Sequence, residues 1–348
     1  MRLPQSQGYA GDPVRARSIG PHRGILHGMI LEVFDESRLA EADAFTLGDA
    51  LEAHRIVHFP TCPFPLPPQT DLDYLRQELP ERLSLKNVSY HPEADRVRGL
   101  QGDAGDQARV RDILRGHSDA VCAFLDAHMG HLTRDWRVGT CSFRPIQEKG
   151  RNLKPHASNE LVHIDAGAYG ATNGDRIFRF FVNVNPSADR VWATKGDFAS
   201  LLARHGQAAG VLDGSGQPSG AIDKRAADHL FSGLISGLAR LNPSARVLDS
   251  SPYDRLMRRL HNYMKDDRAF REDTTGLETL RFPPGSAWMV FTDGVSHASL
   301  EGQFAFVTTC IVPRSNLRHP ARAPYEVLRA AATVPAQAAS SPDRRTRL

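Results

Sequence analysis

No apolar run in the sequence approaches the ~20 residues of a membrane-spanning helix, which excludes a helical span as the organising feature. Cysteine is scarce. Cys62, Cys122, Cys141 and Cys310 stand far apart in no metal-binding or redox spacing, so reduced thiols in a cytoplasmic protein are expected rather than a disulfide framework. A strong charge of one sign is missing too. The 43 basic and 40 acidic residues leave a net charge of +3 with no nucleic-acid-binding motif beside it, so no nucleic-acid partner is expected. Residues 1–24 contain Gly, Pro and Arg but no apolar segment of the secretory type, and no export signal is expected there. What is present is an ordinary globular mixture. With 41% hydrophobic and 24% charged residues over 348 positions, the chain can build a large core, and extended disorder is excluded as its main state.

The pattern predicts a flexible start over residues 1–25 and a single domain over 26–315, followed by a largely flexible tail over 316–348 with one short helix at Tyr325–Ala332. A helical pattern over Leu39–Arg55 runs into a short strand (IVHF), then a proline-rich connector, Pro60–Pro68. Between Gln107 and Trp136, Val110, Ile113, Leu114, Val121, Phe124, Leu125 and Met129 recur at helical spacing. Beyond them the texture turns to strands: Gly139–Phe143, Glu160–Ile164, Ile177–Asn185, Ala287–Thr292 and Phe304–Val312, most bounded by Gly, Pro, Asn or Asp. An insertion over about 195–281 contains a Gly-rich loop and helical patterns at Ala226–Leu241 and Tyr253–Met264. The fold expected is mainly β with an α layer: a double-stranded β-helix (a cupin-like jelly roll) with N-terminal helices and a helical insertion.

Two histidines and one carboxylate on one face of a ferrous ion leave positions open for a cosubstrate and O₂. The local signature is His-x-Asp/Glu at a strand end, because residues two apart on a strand point the same way. Three such tripeptides compete. In His117-Ser118-Asp119 the pair sits in a predicted helix, where residues two apart do not share a face, and in His91-Pro92-Glu93 the proline marks a turn. Only His163-Ile164-Asp165 ends an apolar segment (LVHID) and precedes a Gly-rich loop and a second strand. His297, between WMVFTDGVSH and FAFVTTCIVP, supplies the distal histidine, with the insertion explaining the separation.

A cosubstrate such as 2-oxoglutarate needs a cation for its far carboxylate, and a bidentate arginine suits a partly buried pocket. Many such enzymes carry it some ten residues past the distal histidine, but those positions here are Val307 and Thr308. Arg179 is the alternative: it lies within Phe178-Arg179-Phe180-Phe181, where an unpaired cation is expensive. On strand alternation Asn183 shares its face and is expected to add a hydrogen bond; Arg314 and Arg190 are the fallback cations.

These segments resemble a known family. From about Leu51 to Pro313 the chain is similar to the Kdo hydroxylases, iron- and 2-oxoglutarate-dependent dioxygenases that act on 3-deoxy-D-manno-oct-2-ulosonic acid (Kdo) in lipopolysaccharide. The matching stretches are KNVSYHPEADRVRGL (Lys86–Leu100), SFRP (Ser142–Pro145), LVHIDA (Leu161–Ala166), GDRIFRFFVNVNP (Gly174–Pro186), RVW (Arg190–Trp192) and PPGSAWMVFTDGVSHASLEGQFAF (Pro283–Phe306). The resemblance implies that His163, Asp165 and His297 ligate Fe(II) and that 2-oxoglutarate and O₂ are cosubstrates. In the matched segments Lys86, Asn87, Tyr90, Arg144 and Arg98 become candidates for holding a sugar acid. A lipid-linked substrate would place the protein peripherally at the inner face of the membrane, where the basic end Arg344–Leu348 is a possible contact. KPHASNE before the His-x-Asp, AGAYG after it, and VTTC past His297 depart from the family's usual wording. A small amino acid or secondary metabolite is therefore the alternative substrate, and a catalytically inactive cupin-like binding protein the alternative function.

Overall fold

The computed structural model describes residues 30–151, 153–167, 170–225, 228, 233, 235 and 249–333. The expected flexible start, the end of the tail, and nearly all of the helix expected at Ala226–Leu241 lie outside the described residues.

A large sheet forms from β1 (Leu31–Val33), β2 (Ile56–Phe59), β3 (Val88–His91), β4 (Arg96–Arg98), β5 (Arg137–Arg144), β6 (Arg176–Asn183), β9 (Ala287–Phe291) and β11 (Ala305–Val312). Its order is β1-β2-β9-β6-β11-β5-β3-β4, antiparallel except for the β1–β2 pair. A smaller sheet has the order β10-β7-β8, from β7 (Arg190–Thr194), β8 (Glu278–Phe282) and β10 (Ala298–Glu301). Phe181, Trp288, Val290 and Val307 of the large sheet pack with Trp192, Leu280 and Phe282 of the small one, so the two sheets close face to face. That is the jelly roll expected.

The other face of the large sheet is covered by helices. Along β6, Phe178, Phe180 and Val182 turn to this side, where they meet the long helix α4 (Ala104–Thr133) and the shorter α2 (Thr46–Glu52) and α3 (Gln69–Gln77). Helix α4 begins at Asp103, whose carboxylate accepts from the Asp106 amide, and it buries Val110, Leu114, Val121 and Leu125 along one stripe. Because both faces of β6 and β11 are covered, both read as near-continuous apolar runs.

Three expectations are corrected. The single helical pattern at Leu39–Arg55 is broken into α1 (Glu36–Glu41) and α2, because the Asp43 carboxylate accepts from the amides of Phe45 and Thr46 and turns the chain between them. Glu160–Ile164 is not a strand. Ser158 Oγ takes the Glu160 amide, Asn159 O takes the Ser299 amide, and only His163 pairs, in an isolated bridge with His297. Finally, β7 and β8 flank the insertion and had no clear alternation; β8 uses residues assigned to the insertion itself.

Within the insertion, α5 (Phe198–His205) is followed by α6 (Pro252–Asp266) and α7 (Arg268–Glu272). Helix α6 opens on a reciprocal capping box between Ser251 and Asp254. With α8 (Pro324–Thr333) it builds a separate apolar cluster around Ile164, Leu256, Leu260, Met264, Tyr325 and Leu328. The described part of the tail is thus packed against the domain.

Candidate metal centre

His163, Asp165 and His297 converge at the open end between the two sheets, each offering a ligand atom, with all three atoms within 4.8 Å of one another. His163 Nε2 lies 3.9 Å from Asp165 Oδ1, and His297 Nε2 lies 4.0 Å from Asp165 Oδ2. The backbone sets this meeting. The His163 amide donates to His297 O at 3.0 Å and the His297 amide donates back to His163 O at 2.8 Å, while the Asp165 amide donates to Thr292 O at 2.8 Å.

The side chains are oriented from behind. His163 Nδ1 lies 2.8 Å from Leu161 O and His297 Nδ1 lies 3.2 Å from Val295 O. A carbonyl requires a donor, so the proton sits on Nδ1 in both rings and Nε2 presents a lone pair to the centre. Trp192 stacks on His297 with ring centroids 5.3 Å apart. Burial, above all, holds both imidazoles neutral: it lowers the His163 pKa well below the usual histidine value, with His297 adding to the effect, and it lowers that of His297 to about 4. Burial pushes the Asp165 carboxyl the other way, but Arg179 and then the two imidazoles outweigh it and hold its pKa below the ordinary range. Asp165 Oδ2 is buried without a hydrogen bond, its contact with Arg179 Nη2 at 2.8 Å being an ion pair outside hydrogen-bond alignment. Two neutral imidazoles and an ionised carboxylate with an unsatisfied oxygen fit a ferrous ion as a facial triad.

Beside the triad lies a cationic wall. On β6, Arg179 faces Thr309 of β11; farther along that sheet face Arg144 of β5 is opposite Ala305, and Ser89 of β3 is opposite both Ser142 and Arg98. Arg144 is close enough to Arg179 that burial, followed by repulsion from Arg179 and Arg190, brings its pKa down to about 10. Lys86 is lowered by burial and then by Arg144. The Nε atoms of Arg144 and Arg179 are both buried without a hydrogen-bond partner. Each Nε is a donor still to be satisfied.

The remaining expected residues are placed less favourably. Asn183 shares the Arg179 face, but its side chain is committed to the turn after β6: Nδ2 donates to Ala188 O and Phe282 O, and Oδ1 accepts from the Asn185 amide. No donor is left for a ligand. Arg190 is fully buried and structural, with Nη2 on Glu148 at 3.1 Å and on Ser299 Oγ at 2.9 Å. Arg314 stacks over Tyr325 at 3.8 Å and lies beside Glu326 on the α8 side, among the groups of the tail. Tyr90 turns to the apolar face of the sheet and donates from its hydroxyl to Asp95. Asn87, just before β3, falls on the site face by alternation with Ser89.

Two neighbours of the site escaped the sequence reading. Glu148, 3% exposed, gathers Arg144, Arg151 and Arg190 within 3.8 Å and keeps the wall from being all cation. The SFRP match stops three residues short of it, and a lone acid in a loop carries no signal. His261 of α6 sets its ring edge-on to His163 at 5.2 Å. Its four-residue spacing from Lys265 on one helix face was a readable hint.

A family model for 3-deoxy-D-manno-oct-2-ulosonic acid (Kdo) hydroxylase matches residues 35–335. Among curated proteins no relative matches. Among solved structures, the Kdo hydroxylase KdoO, a non-haem Fe(II) α-ketoglutarate-dependent dioxygenase, is similar in complex with α-ketoglutarate and Fe(III): TM-score 0.70 and 27% identity over 86% of this chain and 95% of that one. The same enzyme with cobalt(II) aligns at TM-score 0.71 and 26% identity, covering 91% of this chain and 100% of the other. A gathered triad, a jelly roll around it and a match spanning nearly all described residues lead to one conclusion: the chain belongs to the Kdo hydroxylase family.

Proposed function

We propose that the protein is an Fe(II)- and 2-oxoglutarate-dependent dioxygenase that hydroxylates an unactivated C–H bond of a sugar acid, with Kdo in lipopolysaccharide as the first candidate. The carrying observation is the triad of His163, Asp165 and His297 set against two half-buried arginines, Arg144 and Arg179, whose Nε atoms are buried and unsatisfied. A ferrous ion held there would supply oxidative decarboxylation of 2-oxoglutarate by O₂ to succinate and CO₂, with one oxygen atom of O₂ entering succinate and the other the substrate C–H bond.

The residues divide that work. His163, Asp165 and His297 hold the ion and leave one side free. Arg179, ion-paired with Asp165 through Nη2, takes the far carboxylate of 2-oxoglutarate, where a guanidinium offers a paired hydrogen-bonding edge. Arg144, Lys86 and Asn87 receive the acid group of the sugar. Phe181 and Trp192 form an apolar floor that keeps bulk water from the ion. No helix among the described residues is long and apolar enough to cross a membrane. If the substrate is lipid-linked, the protein would meet it as a peripheral contact at the inner face of the membrane.

The test is turnover by the full chain with Fe(II), ascorbate and 2-oxoglutarate, following succinate release. Stimulation by Kdo–lipid A and not by a panel of amino acids supports the proposal. Stimulation by the amino acids alone overturns the substrate, and failure of the chain to bind Fe(II) overturns the chemistry in favour of a binding protein.

A further inference from the structure

The segment carrying His163 and Asp165 belongs to no regular strand, yet it must present two side chains to one ion. On its inner side it is tied to the chain around His297 and Thr292 by its own amides. On its outer side it is fastened by α6, a helix of the insertion. Three side chains of that helix, at positions 254, 261 and 265, fall on one face. Asp254 accepts from the Thr172 amide at 3.0 Å, the Thr172 hydroxyl at 2.7 Å and the Asn173 amide at 3.2 Å. Lys265 Nζ donates to Ser158 O at 3.1 Å and His156 O at 3.3 Å. Between them His261 Nδ1 sits 2.6 Å from Ile164 O, and the Ile164 side chain is buried among the apolar residues of α6.

Ile164 is the residue between the two ligands. Its carbonyl fixes the plane of the Ile164–Asp165 peptide, and with it the direction in which Asp165 leaves the backbone relative to His163. The ring of His261 also packs edge-on against the His163 imidazole, at an interplanar angle of 83°.

We infer that His261 is a positioning residue of the metal centre: by donating to Ile164 O and bracing the His163 ring, it makes the insertion part of the scaffold that sets the spacing of the ligands. The inference rests on the iron-centre reading above. A residue that orients ligands in this way typically contributes a factor of ~10–100 to metal affinity.

Two variants separate the donor from mere bulk. H261F keeps an aromatic ring of similar size without a donor, and H261Q keeps an N–H donor without the ring. The full chain is titrated with Co(II) under anaerobic conditions, read by the visible absorption of the bound ion, and the melting temperature of each metal-free protein is measured alongside. The expected result is a Co(II) dissociation constant ~10–100-fold higher in H261F, with H261Q intermediate and all three metal-free proteins melting close together. An H261F affinity equal to the unmodified chain's, or one that falls only in step with a lowered metal-free melting temperature, overturns the inference alone. Absence of Co(II) binding by the unmodified chain overturns the iron-centre reading and this inference with it.

Discussion

The two faces of the large sheet are made by the same strands and differ in chemistry. On β6, Ile177, Arg179 and Phe181 turn toward the small sheet and the triad, while Phe178, Phe180 and Val182 turn toward α4. Each face holds buried histidines. His117 of α4 lies on the helical side, stacked on Phe306 at 4.2 Å, and burial brings its pKa down to about 3. His163 and His297 lie on the other side and are also kept neutral by burial. Burial and a depressed pKa are therefore common to a packing histidine and to two ligand candidates. The partners make the difference. His117 Nδ1 has no hydrogen bond and the Asp119 beside it in sequence is not on its face, whereas each ligand candidate has a carbonyl behind Nδ1 and a shared carboxylate in front of Nε2.

The sharpest way to break this comparison is to delete a ligand on one side and its imitation on the other. His163→Ala is expected to abolish 2-oxoglutarate-coupled turnover and Co(II) binding, whereas His117→Phe should retain both. Turnover assays and metal titration of the two variants check this, and the reverse pattern would move the centre to the helical face.

Adjacent residues of β6 offer a second contrast. Arg179→Gln removes a charged partner from the site and is expected to raise the KM for 2-oxoglutarate ~30-fold or more, corresponding to a loss of ~2 kcal/mol or greater. Its melting temperature should change little. Phe180→Ala, one residue along, empties a packed position against Phe59, Phe64 and Phe124 and is expected to cost ~3–5 kcal/mol of stability while the KM of the folded enzyme stays as it was. Denaturant titration and steady-state kinetics on both variants separate the two effects.

The most gradual effect is in pH. His117 has a folded pKa below its unfolded value, so between about pH 6.5 and 3 the unfolded chain binds a proton that the folded one does not. Stability therefore rises with pH across that window and falls on acidification, by at most ~1.4 kcal/mol per pH unit for one group. His117→Phe removes this contribution, so its denaturation midpoint should decline less between pH 6.5 and 4 than that of the unmodified chain. Parallel slopes would mean that His117 already titrates normally.

Much of this was legible in the sequence because it rests on periodicity and local chemistry. The strand containing Arg179, the α4 stripe and the exclusion of His117-Ser118-Asp119 all follow from which residues share a face. What stayed hidden depends on partners far away in the chain. Asn183 shares the Arg179 face, but its amide is consumed by Ala188 and Phe282; Arg190 looks like a free cation until Glu148 is placed beside it. LVHID reads as a strand end, yet only one of its residues pairs. In each case a tertiary hydrogen bond, invisible to spacing, decided the outcome.

The strand order has a consequence for how the protein is made. Among the described residues, β9 sits between β2 and β6, and β11 between β6 and β5, although both are synthesised after them. A nascent chain that has emerged only as far as the insertion holds β6 with neither neighbour, and β2 and β5 each with only one, β1 and β3; long loops must close before the central pairings form. Assembly of the central sheet must therefore wait for the last third of translation. Until then the apolar edges of β5 and β6 stand open to whatever chaperone attends the ribosome, or to each other on neighbouring chains.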